Sequence, residues 1–368
     1  MKTRQEQIVR TGYIGIGTNV MVSAAKAIVG LASGSMAIIL DAVNNLTDAL
    51  SSVITIIGVK LAGRPADDKH PFGYGRIEYF TAVIIAAMVL VAGGTSLVES
   101  VKGIITPTEQ EHTAIGLIIL AVSLVVKFIL GIYTRRKGKE LKSDSLISSG
   151  SDCLFDCIIS GSILLSAGLT LWFGWSIDAW LAAIISCIII KAGIELLMSP
   201  INELLGQRAD RELTSGIKAK ALEIEGVRGV YDVVLHDYGP EQKLGALHIE
   251  VDDTMSAAEI HRLTHRVQRA ILNEFGIFFT IGLYAHHQEG TKNALEEQHI
   301  RQYVTNLDGV INMHGFYVSH EDRMLSFDIV YSFRMKNPSA LRLQVKEWLQ
   351  SDYSGYDISI GLDRNFSE

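Results

Sequence analysis

Six long apolar stretches, residues 9–32, 35–61, 77–101, 112–134, 147–173 and 178–201, set most of what this chain can fold into. A helix needs about 20 residues to cross about 30 Å of hydrocarbon, and every stretch meets that length. A backbone in lipid has to satisfy its own amide groups, so such stretches fold as helices. Hydrophobic residues make up 48% of the chain and charged residues still make up 20%. Both fractions fit only if the charges are segregated, with a six-helix membrane domain over residues 1–205 and a soluble tail after it. Met1 to Arg10 leads into a span too long for a cleavable signal, with no small-residue cleavage pattern behind it.

Orientation follows from the basic residues. Lys2, Arg4 and Arg10 precede the first span, Arg64, Lys69 and Arg76 lie between the second and third, and Arg135, Arg136, Lys137, Lys139 and Lys142 lie between the fourth and fifth. The opposite loops hold essentially Lys102. This bias places both termini and the tail in the cytoplasm. The net charge of -7 then belongs mostly to the tail and gives no reason to expect nucleic acid as a partner.

Two short patterns inside the spans carry chemistry: Asn44-x-x-x-Asp48 in the second and Asp152-x-x-x-Asp156 in the fifth. Residues four apart sit roughly 6 Å from each other on one helix face, so each pair can aim its oxygens at one spot. Ionised groups at membrane depth cost several kcal/mol unless paired, hydrated or metal-bound, and converging carboxylates repel one another. A divalent cation resolves both problems. The plainer alternative is a wet helix contact, and two pairs at matched spacing speak against it. Cys153, Cys157 and Cys187 lie within spans, and the first two are turned about 100° off the aspartate face, so they read as packing residues. Lys127 reads as a snorkelling or inter-helix partner, because a basic group near the site would oppose cation entry. Gly93 and Gly94 read as a close helix contact.

Beyond residue 205 the pattern changes to short helices and strands: a helix over 210–224, strands over 227–237 and 244–252, a helix over 256–275 opened by Ser256 and Glu259, and a strand over 278–285. The order then repeats. Glu225-Gly226-Val227 is echoed by Asp308-Gly309-Val310, and the run from Phe279 to Tyr284 by that from Ile358 to Asp363. The tail is therefore expected to hold two tandem α+β domains, 206–289 and 296–368, joined by a linker near residues 290–295.

Six spans, the two i,i+4 pairs, the loop from Pro65 to Glu78 and the αββαβ tail together resemble the cation diffusion facilitators, over about residues 8–285. The resemblance implies a homodimeric plasma-membrane exporter of divalent metal, driven by proton entry, with a ferredoxin-like cytoplasmic domain and no resident cofactor. It implies a transport site of Asn44, Asp48, Asp152 and Asp156 in each protomer. Zinc-transporting members carry at least one histidine in these pairs, and here there is none. Imidazole suits zinc, whereas carboxylate and carbonyl oxygens suit manganese. An Asn with three Asp also resembles the manganese-transporting branch, so Mn2+ is the expected cargo, with Fe2+ next and Zn2+ or Cd2+ as alternatives.

The resemblance also implies a second metal site in the loop, at Asp67 and His70, where Tyr74 takes the place of a second histidine. The structural reading of that loop is a shaped turn, with Arg76 pairing with an acid near the tail. Zinc-binding relatives use several histidines and acids in the cytoplasmic domain. The matching positions here hold Tyr231, Gly282 and Tyr284, while His248 and His261 persist, which points to a dimerisation module. His286 and His287 read as an exposed pair at a strand end. Two other classes fit the sequence less well: an intramembrane aspartyl protease, which Gly150-Ser-Asp152 does not match because the second glycine is missing, and a non-transporting metal sensor or scaffold, which has no use for four oxygen ligands.

Overall fold

The computed structural model describes residues 3–33, 36–106, 114–173 and 178–364, and a few helical side chains, Asn44 among them, lie outside the described residues. The chain forms two compact units, Met1–Gln207 with Asp237–Gln242, and Arg208–His236 with Lys243–Glu368. Six helices make up the first: α1 (Arg4–Ser33), α2 (Met36–Ala62), α3 (Ile77–Ile105), α4 (Ala114–Glu140), α5 (Asp144–Phe173) and α6 (Asp178–Leu205). At 1.5 Å per residue each is about 40–45 Å long.

Among the described residues, α1, α3, α4 and α6 have the length and apolarity of membrane crossings. The other two, α2 and α5, carry the acid pairs. Large apolar side chains stand outward on the helices, such as Met21 and Ile28 on α1 and Ile118, Val122 and Ile129 on α4. So much outward apolar surface suits hydrocarbon, not water.

The helices pack mainly as α1 on α2, α3 on α6 and α4 on α5. Bare glycines set the last of these. A Cβ on Gly150 would lie 2.6 Å from the Arg135 nitrogen, and one on Gly131 would lie 2.9 Å from Leu154. Backbones this close bring Lys127 on α4 alongside the aspartate face of α5. Of the expected Gly93–Gly94 contact only half is seen: a Cβ on Gly93 would meet Ile189 at 3.1 Å, while Gly94 faces open space. Cys153 and Cys157 are buried free thiols, and the Cys157 thiol contacts the Leu124 carbonyl at 3.5 Å, as packing residues do.

Arg4 ties three parts of this unit together. Its guanidinium donates to both Glu78 oxygens at 2.9 Å and to the Leu141 and Lys142 carbonyls. Glu78 is 2% exposed, so Arg4→Met leaves a buried carboxylate without its partner. The expected cost is about 3–5 kcal/mol, read as a lower thermal midpoint of the detergent-solubilised protein.

The second unit begins with α7 (Arg211–Leu222), β1 (Gly229–Asp237), β2 (Lys243–Asp252), α8 (Ala257–Phe275) and β3 (Phe278–His286), close to the expected boundaries. Ser256 and Glu259 form the anticipated capping box, and Gly276 ends α8 at φ 69°. Then follow α9 (Lys292–Thr305), β4 (Val310–Ser319), β5 (Met324–Tyr331), α10 (Pro338–Gln350) and β6 (Asp357–Arg364). The strands form two sheets of order β1-β2-β3 and β4-β5-β6. The pairs β2/β3 and β5/β6 run parallel, and β4/β5 antiparallel. Each sheet has its own core, around Ile249, Val267 and Phe279 in one half and Met313, Phe327 and Val345 in the other.

The expected linker near 290–295 is shorter than anticipated. Thr291 caps α9 by accepting from the Ala294 amide, so Lys292 to Leu295 form its first turn. A polar first turn lacks apolar periodicity and reads as loop, although its cap makes it helix.

Candidate metal centre

Asp48 sits on α2 with 7% exposure, and Asp152 and Asp156 lie one turn apart on α5. Asn44 is one turn before Asp48 on α2, and its side chain lies outside the described residues. Next to the acids, α2 and α5 touch through Ser51 and Ser149, whose hydroxyls are 3.2 Å apart.

The residue at the centre of the acids is Lys127. Its ammonium donates to Asp48 Oδ2 at 2.5 Å and to Asp156 Oδ2 at 2.8 Å, and the residue is 4% exposed. Asp152 lies within electrostatic range of Asp156, Asp48 and Lys127. The expectation that Lys127 snorkels, away from the site, is thus corrected. It is an inter-helix partner and the partner is the site itself. The physical reason is the same crowding of carboxylates that argues for a metal: an ammonium on the neighbouring helix answers it too. Among the described residues the three carboxylates are not gathered into one ligand cluster, since Lys127 stands between two of them. A lone lysine in an apolar span, beside spans with surplus acid, was the signal that could have found this.

The loop before α3 is a turn built on Asp67. One carboxylate oxygen accepts from the Lys69 and His70 amides at 3.1 and 2.7 Å, and the other accepts from the Tyr74 hydroxyl at 2.7 Å. The Tyr74 hydroxyl and the His70 amide hold this exposed carboxyl below its ordinary range. His70 Nδ1 lies 3.4 Å from Asp67, so the two expected ligands are together, with most of the carboxylate already engaged. Among the described residues no acid side chain is paired with Arg76. It donates to the Asp237 backbone carbonyl at 2.8–3.0 Å, because the Asp237 carboxylate accepts from the Tyr79 hydroxyl and the Gly239 amide.

In the tail, His261 stands on α8 beside His265, while His248 on β2 stacks on Tyr284. His287 departs from the expected exposed pair: it is 8% exposed, with Nδ1 3.1 Å from Asp253.

Residues 13–205 match the family described as the cation efflux transmembrane domain, and residues 209–281 match the cation efflux protein, cytoplasmic domain. An uncharacterised transporter of Methanocaldococcus jannaschii is 29% identical over 70% of this chain and 91% of its own. The cation-efflux pump FieF of Salmonella typhi is 26% identical over 66% and 80%, and the magnetosome protein MamB of Paramagnetospirillum magneticum is 25% identical over 68% and 84%. The chain belongs to the cation efflux (cation diffusion facilitator) family and is a multi-pass membrane transporter of divalent cations, not an enzyme.

Proposed function

We propose that this protein exports Mn2+ from the cytoplasm in exchange for protons, as a homodimer in the plasma membrane. All six long helices span, both termini are cytoplasmic, and the tail is a tandem pair of ferredoxin-like domains, 206–289 and 296–368. Asn44, Asp48, Asp152 and Asp156 form the transport site. The observation that carries this reading is that Asp48 on α2 and Asp156 on α5 meet at one spot, on the ammonium of Lys127. With oxygen donors alone, the site discards the nitrogen contribution that favours zinc. Asp67 and His70 shape the loop turn.

Charge balance supports a proton exchange. Asp48, Asp152, Asp156 and Lys127 carry formal charges of -3 and +1, a sum of -2. One divalent cation or two protons neutralise that sum, so the carrier crosses between inward and outward access uncharged in both halves of the cycle. Moving a divalent cation out against an inside-negative potential costs about 4.6 kcal/mol per 100 mV, from about 2.3 per charge. Entry of two protons cancels that cost. The aspartates serve as ligands and proton carriers, Asn44 as a neutral ligand, and Lys127 as a tethered ammonium that metal must move aside.

Selectivity is tested by Asn44→His in proteoliposomes under metal competition. The natural chain carries Mn2+ in preference to Zn2+, and the added imidazole shifts preference toward Zn2+. Zinc flux by the natural chain that the substitution leaves unchanged contradicts the ligand argument. Flux indifferent to a pH gradient contradicts the proton exchange.

A further inference from the structure

A second cluster of ligand-bearing groups lies in the tail, where the two halves meet. Asp232 on β1 and His314 and Asp363 on β4 and β6 place ligand atoms within 4.8 Å of one another. His314 Nε2 lies 3.1 Å from Asp232 Oδ1 and 4.0 Å from Asp363 Oδ2. His314 is 3% exposed, and its Nδ1 has no hydrogen-bond partner among the described residues, with Asp328 Oδ2 4.0 Å away. His248 Nδ1 reaches Asp232 Oδ2 at 2.9 Å from the other side. Three carboxylates and two imidazoles thus surround one half-buried spot.

We propose that this cluster is a divalent transition-metal site, with Asp232, His314 and Asp363 as ligands and Asp328 and His248 at its edge, that clasps the two halves of the tail together. Several features of the backbone make room for it. His248 is paired across the sheet with Gly282, and Asp328 with Gly361. A Cβ on either glycine would collide with the side chain opposite. Gly315, at φ 64°, lets Tyr284 of the first half in against the second, where its hydroxyl donates to Asp232 at 2.7 Å and Asp328 at 3.3 Å. Asp232 itself is held at φ 52°, which is uncommon outside glycine and is found where surrounding structure over-determines it.

Electrostatics agree with the geometry. Burial raises the Asp328 carboxyl, and burial with the neighbouring Asp328 and Asp232 charges raises that of Asp363. Burial also works to raise Asp232, but hydrogen bonds from His248, His314 and Tyr284 hold it well below the ordinary range. Three carboxylates crowded round one imidazole are a set that a cation relieves. Most of the ligands come from a segment outside both family matches. This gives the second half a task, as it supplies an imidazole and acids where the first half presents Tyr231 and Tyr284. The mixed nitrogen and oxygen donors suit Zn2+, Fe2+ and Mn2+, unlike the oxygen-only set in the membrane.

That difference in donors supplies the test. The full chain in detergent is loaded with Mn2+ alone, and imidazole nitrogen coupling is read by electron spin-echo envelope modulation. The natural chain shows nitrogen coupling, which Asp152→Asn leaves in place and His314→Gln and Asp363→Asn remove. Asp363→Asn weakens binding at this site by more than about tenfold, and the 38% exposure of its side chain makes it the variant least able to disturb the fold. Circular dichroism verifies folding for both. Absence of nitrogen coupling in the natural chain, its survival in both tail variants, or its loss in Asp152→Asn overturns the proposal. None of these outcomes depends on flux, so the transport reading stands or falls separately.

Discussion

Asp48→Asn cuts Mn2+ flux in proteoliposomes by more than about 100-fold, beyond the cost of losing a group that merely orients a ligand. The amide keeps the shape of the side chain and removes the charge, so the site falls to a formal -1 and no longer balances a divalent cation. Lys127 keeps its 2.8 Å contact with Asp156, so the protein still folds and the loss is read in transport. Asp152→Asn acts the same way through the other helix. Leu50→Ala, on an outward position of α2 with 50% exposure, serves as the control and transports normally. Flux within about twofold of the natural chain for both aspartate variants would remove α2 and α5 from the cation path.

Lys127→Met changes transport in the opposite sense at the binding step. A like charge within about 4–6 Å shifts a charged equilibrium by 1–3 logarithmic units, so removing the ammonium tightens divalent cation binding by about 10- to 1,000-fold. Tight binding slows release, and flux falls while affinity rises. A chelator competition measures the first effect and proteoliposome uptake the second. Lys127→Arg keeps the charge and stays near the natural affinity. If Lys127→Met binds metal no more tightly than the natural chain, the ammonium is a structural tether and does not compete with the cargo.

The six long helices and the tail elements were legible because their signals are local. Apolar length announces α1 to α6, and the Ser256 and Glu259 pair with Gly276 announces both ends of α8. That Asp152 and Asp156 share one face of α5 was legible from their i,i+4 spacing, whereas spacing says nothing of Asp48 on α2, which meets Asp156 through the ammonium of Lys127. Lys127 was legible as an inter-helix partner but its partners were not, because nothing in a span tells which neighbour it packs on. Its position depends on Gly131 and Gly150 drawing α4 against α5. The tail cluster escaped for a similar reason: Asp232 and His314 belong to different halves, and only the meeting of the halves, β3 against β4, joins them. Arg76 shows a further limit, since charge alone predicted an acid as its partner and the local hydrogen bonds of Asp237 left a carbonyl instead.

The most direct measurement is Mn2+ uptake into proteoliposomes holding the purified protein, with an acidic lumen as the driving force and Asp152→Asn run in parallel. The account predicts accumulation that follows the pH gradient, yields little to competing Zn2+ and disappears in the variant. No uptake of Mn2+, Fe2+, Zn2+ or Cd2+ by the natural chain, or uptake that the variant leaves intact, would contradict it.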